Sequence, residues 1–227
     1  MSISTHFCNR FLFWSVCAAL TGVASSAHPA DKSEKSDHLV PIKGIIEPAY
    51  QKLLRRKLYL TPANYVRIAI LPSTGSIGET VFSFHSDKAD TYKVLVTYTR
   101  AQSNLWAEAS DANLALTIEP RAKIRRLDVP FPKSLAVSIS EAIGRMIRES
   151  RQPSGTGPII VDGTDFLFSI EAANGQQRQA ILMAGSTGKN VATLIRLLEV
   201  LDRYCNAKES NRGLLLKEIE TEVKRLH

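Results

Sequence analysis

Histidine is scarce in this sequence, which restricts imidazole chemistry to one position. His6 lies within the first 27 residues, His28 and His38 lie in the polar stretch that follows them, and His227 is the last residue. Only His85 lies in a segment with the alternation of a strand. A Ser-His-Asp or Cys-His arrangement needs a base held beside its nucleophile. Because His85 comes where a strand runs into a turn, we interpret it as a strand-end histidine and predict no catalytic residue.

Asp87 and Asp90 follow His85 within one short turn and could in principle join it around a metal ion. A zinc site normally needs about four ligands in a tetrahedral array. Lys88 lies among the three candidates, and no second cluster of ligands completes the set. We therefore predict an exposed turn, with no metal and no cofactor.

The segment 185–189 (GSTGK) joins a predicted strand to a predicted helix and partly matches two motifs. A P-loop requires G-x-x-x-x-G-K-[ST], but a methionine stands at the first glycine position and an asparagine follows the lysine. The Ser-x-x-Lys spacing also occurs in penicillin-interacting serine enzymes, yet their downstream elements are missing. We predict a glycine-rich turn in which Ser186 or Thr187 caps the following helix.

The densest positive segment is the candidate binding site. Its basic residues are Arg121, Lys123, Arg125 and Arg126. They flank Ile124 and Leu127, so we predict an edge or near-edge strand. Charges on such a strand also protect it against aggregation, which is the simpler interpretation. Aromatic residues do not alternate with the basic ones, so nucleic-acid binding is not predicted.

The whole chain is basic, with 29 Lys and Arg against 22 Asp and Glu and a net charge of +7 over 227 residues. Such a balance favours anionic partners, and we expect an acidic protein or an anionic envelope polymer. The alternative is that the charge serves solubility alone, because it is not concentrated in one run.

Residues 1–27 have the three-part pattern of a secretory signal peptide. Arg10 provides the positive charge, an apolar run covers 11–23, and the small residues Ser25 and Ala27 precede the expected cleavage point. The run is shorter than the roughly 20 residues of a bilayer span. We therefore predict export, most simply to a bacterial periplasm, and a mature N-terminus near His28 when the native protein is examined by mass spectrometry.

A polar linker is predicted at 28–44 and a single domain at 45–227. Cys8 and Cys17 would leave with the signal peptide, so the mature chain would hold only Cys205. An exported domain without an internal disulfide must be stabilised by its core. Cys205 continues the apolar stripe of its predicted helix, and we expect a buried thiol.

Periodicity predicts the elements that would position these residues. Alternating segments predict strands at 65–71, 80–86, 92–100, 114–118, 122–129, 159–161, 166–170 and 178–184, and helical spacing predicts helices beginning at 47, 133, 190 and 213. Asp-Gly at 162–163 and Asn-Gly at 174–175 are turn signals. Strands and helices group rather than alternate. This predicts an α+β fold, an antiparallel sheet of five to seven strands against three or four helices, two of them C-terminal.

The leading functional hypothesis is a non-catalytic exported protein that binds another macromolecule, such as an inhibitor, an immunity-type protein or an envelope accessory factor. It depends on the lack of a catalytic set. One alternative is an envelope hydrolase or transferase that uses His85 and a carboxylate. Another is a binder of anionic glycopolymer or lipid through the segment 121–126.

Overall fold

The structure is a computed structural model. It describes residues 37–41, 48–73, 77–90, 92–107, 122–151, 163–171, 176–183 and 185–226. The predicted signal peptide, Arg121, the strands expected at 114–118 and 159–161 and the turn at 174–175 lie outside the described residues.

Within the described residues, seven strands form one antiparallel sheet. They are β1 (Val40–Pro41), β2 (Val66–Pro72), β3 (Thr80–Ser86), β4 (Val94–Ala101), β5 (Ile124–Phe131), β6 (Thr164–Glu171) and β7 (Gln177–Leu182). Their order across the sheet is β1-β7-β6-β2-β3-β4-β5. Strands β2 to β5 therefore run as a meander, and β6 returns to pair with the free side of β2.

In the part of the chain that the structure describes, four helices accompany the sheet, together with a short helical turn at 105–107. They are α1 (Pro48–Lys57), α2 (Lys133–Arg148), α3 (Lys189–Asn206) and α4 (Glu209–Arg225). The predicted α+β fold with two C-terminal helices is confirmed. Helix α4 begins four residues before the expected Gly213, because that first turn is polar and exposed and so gives no apolar periodicity. Among the described helices, none has the length and hydropathy needed to cross a bilayer.

Side chains of successive strand residues lie on opposite faces of the sheet. One face, called here the three-helix face, packs on α2, α3 and α4 through a core that includes Ile68, Phe82, Phe84, Tyr98, Phe131 and Phe168. The opposite face, called the α1 face, packs on α1 through residues that include Leu54, Leu58, Ala69, Val81 and Leu167. Helix α3 also contacts the edge strand β5, where the Tyr204 hydroxyl donates to the Pro130 carbonyl at 2.5 Å.

Residues 37–41 belong to the folded part of the chain, although the sequence assigned them to the polar linker. Val40 and Pro41 pair with β7. Upstream of them, the Asp37 carboxylate accepts the backbone N–H groups of Asn190 at 3.0 Å and Val191 at 3.1 Å. Asp37 therefore caps α3 from far away in sequence.

The cap predicted from Ser186 or Thr187 is wrong, because the Asp37 carboxylate already lies at the start of α3. The N-cap residue is Gly188, which has φ +146° and no side chain that could accept the N–H groups of the first turn. A Cβ atom at Gly188 would lie 2.2 Å from the Asp37 carboxylate. Glycine is thus required both by the backbone conformation and by the close approach of the cap.

Replacing Asp37 by alanine should lower the free energy of unfolding by about 0.5–2 kcal/mol, because two N–H groups at the start of α3 lose their acceptor. Urea unfolding measures the change. Glu199→Ala is the matched control, since Glu199 is exposed in the middle of the same helix and its loss should cost no more than about 0.5 kcal/mol. Equal losses in the two variants would contradict a capping role.

Candidate anion-binding surface

Strand β5 is the last strand of the described sheet and pairs there only with β4. This is the edge position that the sequence predicted. Lys123 directly precedes the strand, and its carbonyl accepts the backbone N–H of Gln102 at 2.9 Å. Lys123, Arg125 and Arg126 are all exposed.

The structure does not bring the basic residues of this segment into one cluster. Arg125 lies on the three-helix face, directly opposite Arg100 of β4. Arg126 lies on the α1 face, where it forms an ion pair of 3.0 Å with Asp128. Only Lys123 and Arg125 therefore remain candidates for one cationic surface.

Arg100 joins this surface and was not singled out from the sequence. No described carboxylate lies within 4.0 Å of the guanidinium of Arg100 or Arg125. Like charges directly opposite each other on neighbouring strands are destabilising. Only the register of β4 with β5, which no local pattern reveals, could have indicated the pair. We call Arg100, Lys123 and Arg125 the edge cluster.

A second polar feature crosses the α1 face as one continuous row. The register places one residue from each of six neighbouring strands side by side. These residues are Gln179, Ser169, Arg67, Ser83, Thr97 and Asp128. The adjacent row, beneath α1, is mostly apolar and includes Ile181, Leu167, Ala69 and Val81. The α1 face is therefore divided between a helix-covered apolar strip and a polar strip.

A chain of hydrogen bonds runs along the outer part of this polar row. His85 Nε2 lies 2.8 Å from the Thr97 hydroxyl, which donates to Asp128 Oδ1 at 2.5 Å. Arg126 donates through Nε and Nη2 to the same carboxylate. The edge-strand arginine is thus connected to the one histidine that the sequence placed within the fold.

The Thr97 hydroxyl determines which groups donate and which accept along this series of hydrogen bonds. The Thr97 hydroxyl has one proton, and if Asp128 accepts it, His85 Nε2 must donate to Thr97. His85 Nδ1 lies 2.9 Å from the Ser86 carbonyl oxygen, which is also an acceptor. Each of the two His85 ring nitrogens therefore lies beside one hydrogen-bonding oxygen.

The His85–Thr97–Asp128 arrangement contains the residue types of a hydroxyl nucleophile with a base. The side chain of Thr97, however, is only 1% exposed. A nucleophile must reach a reacting atom in a bound substrate, and this hydroxyl lies within the sheet packing. The geometry is therefore that of a structural polar chain.

The other sequence candidates have structural roles. The Asp87 carboxylate accepts the Ala89 N–H, and Asp90 accepts that of Tyr92, each at 3.0 Å, so both aspartates stabilise their turn. No group of three possible metal ligands occurs among the described residues. Cys205 is buried as predicted, and burial raises the pKa of its thiol to about 12.

Glu79 is fully buried, which no local sequence pattern indicates. Its carboxylate accepts the Tyr50 hydroxyl at 2.7 Å and the backbone N–H groups of Leu105 and Trp106 at 2.8 and 3.1 Å. Burial, together with Glu79, raises the pKa of Tyr50 well above its usual range. The carboxylate thus joins α1 to the turn at 105–107 and has a structural use.

Arg67 is the most unusual charge in the polar row, because it lies on the central strand β2 and is only 6% exposed. Its Nε donates to the Ser83 hydroxyl at 3.1 Å and its Nη2 to the Thr61 carbonyl at 2.5 Å. The guanidinium carbon lies 4.4 Å from the centre of the Tyr59 ring. No described carboxylate lies within 4.0 Å of it.

Comparison with known proteins does not extend these observations: no protein-family model, curated protein or solved structure matches the chain.

Replacing Thr97 by valine should cost about 1–3 kcal/mol of unfolding free energy, because it leaves His85 Nε2 without a partner and removes a donor from Asp128. Thr164→Val is the matched control on β6, since the Thr164 hydroxyl has no hydrogen bond within the described part of the chain. Chemical denaturation of both variants measures the difference. A loss for Thr97→Val no larger than for Thr164→Val would show that the chain contributes nothing to stability.

Proposed function

We propose that this protein is a non-catalytic binding protein whose edge cluster recognises an acidic protein. The observation that supports this best is the direct opposition of Arg100 and Arg125 on neighbouring strands, with no described carboxylate within ion-pair distance. An acidic side chain from a partner, placed between the two guanidinium groups, would turn an unfavourable pair into a charge-assisted contact.

The position of the cluster favours a protein over a polymer as the partner. A terminal strand offers backbone N–H and C=O groups to an extended segment of another chain. Only a polypeptide could add backbone hydrogen bonds to the ion pairs at this edge. Pro130 lacks an N–H group, so the segment available to such a partner lies towards Lys123, where the cluster also lies.

The burial of Thr97 argues against the alternative of a hydrolase that uses His85. A catalytic role would require the polar chain to open before a substrate could reach the hydroxyl. The chain has a simpler use, because it fixes the side chains of Arg126 and Asp128 on the α1 face. Arg125 lies on the other face of β5, where no described carboxylate lies within ion-pair distance of it.

Export remains part of the proposal and is supported by the pattern at residues 1–27. An exported, basic binding protein fits the role of an inhibitor, an immunity-type protein or an accessory factor of an envelope assembly. These roles share one physical requirement, a folded surface that meets an acidic partner.

The double variant Lys123→Glu/Arg125→Glu should weaken partner capture about tenfold or more, because it reverses two of the three cluster charges. Arg178→Glu is the matched control, an exposed arginine of β7 on the same face at the other side of the sheet. The measurement is a pull-down from envelope extract at low and high salt, because exposed charges are screened beyond about 8 Å at physiological ionic strength.

The expected result is an acidic protein that the wild type and Arg178→Glu retain at low salt and that the double variant loses. A protein retained equally by the double variant and at high salt would contradict the proposal. Capture of an anionic polysaccharide in place of a protein would also contradict it and would favour the glycopolymer alternative.

A further inference from the structure

A cleft of about 580 Å³ opens on the α1 face beside the buried arginine of β2. The end of α1, the segment that follows it and the start of β7 form its walls. Its polar lining includes Arg55, Thr61, Arg67 and Gln177, and Leu60 and Pro62 provide an apolar part.

Arg67 has N–H donors that no described residue accepts. A guanidinium carries five N–H donors, and the described residues accept two of them, one from Nε and one from Nη2. The Thr61 hydroxyl in the same cleft also has no hydrogen-bond partner among the described residues. The Thr61 hydroxyl and the remaining Arg67 donors are therefore available to a ligand in the cleft.

The cleft also holds uncompensated charge. Arg55, on the last turn of α1, adds a second guanidinium to the lining. Burial lowers the pKa of Arg67 below its usual value, the Tyr59 phenol offsets part of that effect, and Arg55 adds to it. Two cations that share a cleft without a described counter-ion create a site for an anion.

We propose that this cleft binds a dianionic phosphate group, either free phosphate or a small phosphate monoester. The planar fork of Arg67 matches the oxygen atoms of a phosphate, and its fixed position on a central strand removes most of the ordering cost of binding. Two positive charges are balanced by a dianion and only half balanced by a monocarboxylate. Leu60 and Pro62 would contact the non-polar part of an ester.

The site is independent of the edge cluster proposed above. Arg67 lies on β2, three strands from β5, which corresponds to about 14 Å across the sheet. Arg67 and Arg125 also lie on opposite faces. Failure of either proposal therefore leaves the other standing.

The test is thermal unfolding of the full chain in rising concentrations of inorganic phosphate, glycerol 3-phosphate or acetate, at constant pH and ionic strength. A bound ligand raises the midpoint in a saturable way. We expect saturable stabilisation by the two phosphates and at least about tenfold weaker binding of acetate. A tighter fit for glycerol 3-phosphate would identify an ester as the ligand class, and equal binding would identify free phosphate.

Substitutions in the cleft test whether phosphate binds there. Arg67→Met and Arg55→Gln should each weaken phosphate binding about tenfold or more, as expected for the loss of a charged hydrogen-bond donor. Arg178→Gln is the control, because Arg178 is exposed on β7 beside Gln177 but on the opposite face. If Arg67→Met does not fold, Arg55→Gln decides, since Arg55 lies on the exposed side of α1. Absence of saturable binding, or an equal loss in Arg178→Gln, would overturn the proposal.

Discussion

Strand alternation within one antiparallel sheet governs every site described for this protein. Because side chains alternate and the neighbouring strands pair directly, a single register decides which residues share a face. The same register that gathers Phe82, Tyr98 and Phe168 beneath three helices gathers Arg67, Ser83 and Thr97 on the opposite face. A slip of one residue would exchange the two sets and bury the cations under the helices.

The consequence is a sheet with two unlike surfaces. The three-helix face contains most of the apolar core and stabilises the fold, so the α1 face can hold polar residues along a full row. Helix α1 covers only the apolar strip of that face, which leaves Arg67 beside an open cleft. At the far edge, Asp128 neutralises Arg126 on one face while Arg125 faces Arg100 on the other. Cations without described carboxylates thus lie at two separate places.

The sequence predicted the elements well where periodicity is local. The alternation at 80–86 and the helical stripe from Leu135 to Ile147 were both placed correctly, and so was the edge position of β5. The sequence could not predict the cap of α3, because Asp37 lies about 150 residues away and reaches the helix only through the pairing of β1 with β7. Long-range pairing of this kind leaves no local pattern.

The candidate sites show the same difference between what a local pattern predicts and what only long-range pairing reveals. Arg125 was found by charge density, but its partner Arg100 emerges only from the β4–β5 register. Arg67 was present as a single arginine among apolar residues of a predicted strand. Its significance depends on burial and on the absence of a described carboxylate, and both are properties of the folded chain.

On our proposal, Arg67 is a buried cation kept for binding rather than for stability. The most direct measurement is the free energy of unfolding of Arg67→Met in phosphate-free buffer. Removing an uncompensated buried charge relieves a desolvation cost of several kcal/mol and offsets the loss of the hydrogen bonds to Ser83 and Thr61. We expect the free energy of unfolding to change by no more than about 1 kcal/mol. A loss of about 3 kcal/mol or more would contradict it, because Arg67 would then be a structural residue.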